Sequence, residues 1–246
     1  MRNRPVSSIL ALLVITGIMA GSAHASLIDN GNGTIYDSVS DVTWISNGLT
    51  FTNDVASTTS TPSANPYTGP LLGTVVTPSL GPSHTIAADD LSYEASLGRW
   101  VGSWWAASAW ADGFTSQHGN QSVSDWRLPT TSEAQNLITQ LNQLGTGRVG
   151  AAPPFAFVPP FFWTATLTSD TNVNFANMLA GTIANRTLFD AAAGRPAYSN
   201  VMGVVPGNVS PVPVPAAMWL FGSGLAGLGS LTRTRLRKGQ AVAPKE

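Results

Sequence analysis

The stretch Ser124–Leu141, "SDWRLPTTSEAQNLITQL", decides the fold. Pro129 holds the residue before it extended. Thr130 followed by Glu133 is a capping box. The threonine hydroxyl takes the N3 amide, and the glutamate reaches back to the N-cap amide. Ala134, Leu137, Ile138, Leu141 and Leu144 then fall on one apolar stripe at helical spacing. An extended Asp125–Leu128 segment therefore runs directly into an amphipathic helix. Arg127 either pairs with Asp125 or turns to backbone acceptors, and a single such pair before a helix reads as architecture.

Upstream, the pattern is helical from Arg99 to Phe114. Trp100, Trp104, Ala107, Ala111 and Phe114 share one stripe, which predicts a core face. Trp105 sits roughly 140° from Trp100 at about 100° per residue. It is either pressed under a neighbouring loop or exposed, and an exposed indole suits stacking on the C–H face of a sugar ring. Trp105, Trp110 and Asp112, with Asp125 and Arg127 beyond them, are the candidate ligand-binding residues.

Further out, "LIDNGNGTIYDSVSDVTWI" at Leu27–Ile45 reads as a hairpin around the Asp29–Thr34 turn. Asp29, Asn32 and Asp37 offer oxygen ligands, but their spacing is not that of a calcium loop. Residues 46–98 read as an irregular insertion with one strand-like piece at Leu71–Thr77. Asp89, Asp90 and Glu94 near its end read as a solvated acidic edge or as residues that cap a helix. "VGAAPPFAFVPPFF" at 149–162 reads as a loop whose aromatics cover the core. Residues 162–169 and 172–179 alternate as two antiparallel strands, and a last strand ends at Pro206–Gly207. Hairpin, helix, helix and several strands make an α+β fold with an antiparallel sheet.

Both ends read as transit segments. Arg2 and Arg4, the apolar Ile9–Met19 run and the small-residue "AHA" at 23–25 predict a secretory signal over 1–25. At the other end Ala216–Leu231 is apolar, interrupted by glycines, and followed by Arg233, Arg235, Arg237 and Lys238. The positive-inside rule keeps that basic end in the cytoplasm. The body at 26–211 carries five arginines, no lysine and twelve acids, a formal net charge of 5 − 12 = −7. That field does not favour nucleic acid. The chain has no cysteine, which excludes thiol chemistry, thiolate metal sites and disulfides. His84 and His118 stand too far apart to suggest zinc or a triad. No catalysis, cofactor or metal is expected. The alternative is a hydrolase built on Asp112 and Asp125, which would need its two carboxyls roughly 5 to 9.5 Å apart.

Two resemblances follow from these motifs. "VPVPAAMWLFGSGLAGLGSL" and its basic tail resemble a PEP-CTERM sorting signal, with Val212, Pro213, Val214 and Pro215 standing where proline-glutamate-proline would be. The resemblance implies processing by an exosortase-type enzyme at the inner membrane, tethering through the C-terminus, and a place at the cell surface or in a biofilm matrix with exopolysaccharide. The body resembles the Lcl C-terminal-domain-like family through "DNGNGT" with Trp44, "WWAASAWA", "DWRLPTTSE", "FWTAT" and "VVPGNVS". In the last motif Val205 replaces the family's arginine. This resemblance implies a C-type-lectin-like fold, two helices against a twisted antiparallel sheet, and a binding module for extracellular polysaccharide or a surface protein. The alternative partner is other protein, in a structural matrix. Fold likeness alone assigns no function.

Overall fold

The computed structural model describes residues 26–118 and 121–209. The signal segment at 1–25 and the sorting residues Val212, Pro213, Val214, Pro215, Arg233, Arg235 and Arg237 lie outside the described residues. No described helix is long and apolar enough to cross a membrane.

The elements run β1 (Leu27–Asp29), β2 (Thr34–Asp37), β3 (Val42–Ile45), α1 (Thr50–Thr58), β4 (Val75–Val76), β5 (His84–Thr85), β6 (Leu91–Glu94) and β7 (Arg99–Gly102). Then come α2 (Trp104–Gly113), β8 (Ser116–His118), β9 (Gln121–Val123), α3 (Thr131–Leu144), β10 (Gly150–Ala152), β11 (Phe155–Val158) and β12 (Phe161–Leu167). The chain closes with β13 (Asn172–Asn177), β14 (Thr182–Thr187), β15 (Phe189–Asp190), β16 (Arg195–Pro196) and β17 (Val204–Pro206). Every strand pair is antiparallel. The sheets are a four-stranded one ordered β1-β2-β3-β17, a three-stranded β12-β13-β14, and five two-stranded ribbons. The α and antiparallel β content agrees with expectation. The single sheet does not, because the strands divide among these smaller sheets.

The hairpin at the start forms as read. Asp29 Oδ1 accepts the Gly31 amide at 2.8 Å, and Asn32 Oδ1 accepts the Thr34 amide at 3.1 Å. These side chains build the turn. β17 returns from the far end of the body to pair with β3, so the first and last parts of the domain close on each other.

α3 carries the expected capping box, with Thr130 and Glu133 bonded reciprocally to each other's backbone amides. Gly145 ends the helix in the left-handed region at φ 66°, where a side chain would be strained. Ala134, Leu137, Ile138 and Leu141 are buried with Ile35, Trp44 and Phe162. Leu144 leaves the stripe and is 51% exposed, because it lies on the last turn, beyond the neighbouring sheet.

Three expectations needed correction. The helix expected from Arg99 starts only at Trp104; Arg99–Gly102 is strand β7, paired with β6. Trp100 is nevertheless fully buried. The 46–98 insertion holds a third helix, α1, which packs on β7; its Phe51 and Val55 are buried, and Phe51 meets Trp110 of α2 edge-on. The proline-rich 149–162 stretch is the β10–β11 hairpin. Its prolines sit in the turn and just past β11, where no ladder amide is lost.

Four tryptophans, Trp44, Trp100, Trp126 and Trp163, are the largest fully buried side chains. Each contributes on the order of 2–3 kcal/mol by leaving water. That burial carries stability in a body that has no cysteine to cross-link.

Candidate functional site

The residues singled out from the sequence do not converge on one place. Trp110 is 3% exposed; its indole donates to Asp54 Oδ2 at 2.8 Å and its ring meets Phe51 edge-on. It is a core residue, which corrects its candidacy. Trp105 is half-buried and stacks on His84, with centroids 4.2 Å apart. The insertion therefore covers it. Asp125 is exposed, with φ 64°. Asp112 is exposed and Arg127 half-buried, and both line a groove of about 600 Å³ between the 71–79 loop, α2 and the Arg127–Leu128 strip. Asp125 does not line that groove, so the two carboxylates of the hydrolase alternative do not share it.

Arg127 does not pair with Asp125. Its two terminal nitrogens grip Glu133 at 2.8 and 2.7 Å, and Nη1 also reaches the Leu128 carbonyl. Burial alone would raise the Glu133 pKa, but the hydrogen bonds from Arg127 and the Thr130 amide outweigh it and hold the carboxyl below its ordinary value. Arg127 is raised, chiefly by the same hydrogen bond. This pair locks the strip before α3 onto the helix cap.

Asp90, read as part of a solvated edge or as a helix cap, is fully buried and caps the short turn at 88–90. It accepts the Ser103 hydroxyl at 2.7 Å and the Ala87 amide at 2.9 Å, and its Oδ2 lies 2.7 Å from His84 Nε2. Ser103 in turn N-caps α2 by accepting the Ala106 amide. The carboxylate thus ties the insertion to α2. Ser103 is buried and capped, so the trio is architecture rather than a nucleophile.

The remaining arginines sort themselves sharply. Arg148 is spent on the carbonyls of Met178 and Leu179 and on Asn142. Arg99, Arg186 and Arg195 instead line one pocket of about 340 Å³. It lies where the β6–β7 ribbon, β14, the β15–β16 ribbon and the 197–200 segment meet. Arg99 Nε is buried with no hydrogen-bond partner, and burial lowers the Arg99 pKa. Arg195 makes a loose contact with Glu94 at 3.8 Å and lies against Tyr198, its guanidinium 4.5 Å from the ring centroid and in hydrogen-bonding range of the side chain. Arg186 donates one bond, to the Tyr198 carbonyl, and stands 5.9 Å from the Trp163 ring. Ser199 is 5% exposed, and its buried hydroxyl oxygen has no partner. Phe161, Pro160 and Pro196 give the pocket apolar walls.

A guanidinium presents five donors and stays charged. Here three guanidinium groups with few bonds of their own line one cavity, while Arg127 and Arg148 each make three hydrogen bonds within the fold. No local pattern in the sequence marks this. The three arginines lie in three different sheets, brought together only by tertiary folding. The large groove has the greater volume, yet its arginine is already neutralised by Glu133. The arginine pocket is the better candidate site.

No family model matches the chain, and no curated protein and no solved structure matches it either, so the site's own chemistry carries the functional argument.

Proposed function

We propose that this chain is an exported, non-catalytic binding module of C-type-lectin-like type, sorted through a PEP-CTERM-type tail, that holds extracellular polysaccharide at the cell surface or in the matrix. The address rests on the two terminal segments of the sequence. The binding role rests on one observation: three of the five arginines of a net acidic body open into a single aromatic-walled pocket. A pocket of about 340 Å³ falls at the small end of the roughly 300–1,000 Å³ typical of ligand sites, which suits one or two sugar units. Asp125 does not line the groove that Asp112 borders, so the hydrolase alternative finds no support there.

The test is affinity electrophoresis of the full chain, purified in detergent, through native gels containing neutral or acidic polysaccharides. Retardation in at least one polymer is expected. Unchanged mobility in every gel would remove the binding reading and favour a structural role through protein–protein association.

A further inference from the structure

We infer that the pocket formed by Arg99, Arg186, Arg195, Tyr198 and Ser199 binds a carboxylate-bearing sugar residue of the uronic-acid type. This rests on the binding-module reading and names the chemistry of its ligand.

The charge balance selects the class of anion. The pocket is lined by three arginines and by Glu94 and Asp190, so its formal charge is 3 − 2 = +1. Asp190 is occupied by the Ala192 and Ala193 amides at 3.1 Å each, and Glu94 accepts the Ser92 hydroxyl. One net positive charge matches a monoanion. A phosphate dianion would be left with excess negative charge beside two carboxylates. The geometry agrees, because a planar guanidinium fork suits a planar carboxylate.

Desolvation points the same way. A buried guanidinium nitrogen and a buried hydroxyl without partners are costly unless something fills them. Both Arg99 Nε and Ser199 Oγ are in that condition, and both residues border the same cavity. Both atoms are closed to solvent, so a carboxylate oxygen or ring hydroxyl reaches them as their side chains turn toward the cavity. The walls supply the rest of a sugar's requirements. Phe161, Pro160, Pro196 and the half-buried Tyr198 present apolar surface for ring C–H groups. Tyr198 keeps its proton: burial raises its pKa, and the neighbouring aspartates add to the shift against the opposing effect of Arg195. Its hydroxyl is held by the Asp89 carbonyl, which fixes the ring.

Titration calorimetry on the full chain in detergent tests this with three probes: digalacturonate, the neutral disaccharide maltose, and inorganic phosphate. Digalacturonate should bind in preference to both others. Arg195→Gln should weaken it by roughly tenfold or more, as expected for loss of a charge-assisted hydrogen bond. Arg195 is exposed and lightly bonded, so this variant is expected to fold; Arg99→Gln provides the second, with circular dichroism as the check on both. Asp170→Asn, an exposed carboxylate that does not line the pocket, should leave binding unchanged. Digalacturonate binding unaltered in both arginine variants would overturn the assignment of the pocket. Tighter binding of phosphate would overturn the carboxylate. Binding of maltose or neutral polymer alone would overturn the uronate while leaving the binding module intact. Failure of every sugar and polymer would overturn both readings.

Discussion

Arg127 and Arg195 carry the same side chain in opposite circumstances. Arg127 grips both oxygens of Glu133 and a backbone carbonyl, in front of a helix whose cap depends on that glutamate. Arg195 lies over a tyrosine ring at the rim of a cavity, with one loose acidic neighbour. An arginine is architectural when acceptors within its own fold fill its fork. It becomes a candidate for recognition when they do not, because its unused donors are then offered to whatever enters.

That contrast can be broken in order of expected effect. Arg127→Ala should cost the most, about 2 kcal/mol in urea unfolding. Stripping a partner from a buried pair costs roughly 3–5 kcal/mol, reduced here because the Arg127 side chain is 38% exposed. Loss of under half that amount would mean the pair contributes little to the cap. Thr130→Ala removes only the hydroxyl half of the capping box and should lower stability by about 1 kcal/mol in the same measurement. A full restoration by Thr130→Ser would tie the loss to the hydroxyl.

Acid loosens the same pair without mutation. Glu133 has a depressed folded-state pKa, so its contribution is present above the ordinary carboxyl range and is lost as pH falls through the folded value. The melting temperature should therefore drop on acidification. Glu133→Gln should flatten that dependence, and an unchanged slope in the variant would assign it to other carboxylates. The smallest effect is expected at the pocket. Arg195→Gln should alter stability by no more than about 0.5 kcal/mol, as for an exposed position with loose contacts. A large loss there would make Arg195 architectural too and erase the contrast.

Legibility followed the range of the interactions. The α3 cap and the turn at Asp29–Thr34 were plain in the sequence because their partners lie within a few residues. α1 was not. "TFTNDVAST" is rich in β-branched and turn-forming residues of modest helix propensity, and only Phe51 and Val55 mark a face. Its helix is stabilised by packing against β7 rather than by its own residues. Arg99–Gly102 misled for a related reason. Trp100 and Trp104 are spaced as on one helix face, yet pairing with Leu91–Glu94 holds the first of them in a strand. The burial of Trp110 and Asp90 was not legible because hydrophobic or acidic character does not say which groups will meet a buried partner.

By itself, the sequence determined the terminal transit segments as expectations, the thiol-free core, the acidic body, and those elements whose hydrogen bonds close locally. Only the tertiary structure decided which arginines are spent and which are open. Arg99, Arg186 and Arg195 meet through strands paired by long-range registers, and no spacing along the chain encodes that meeting. Whether a charge is satisfied depends on acceptors arriving from elsewhere in the chain, so it is a property of the packed fold.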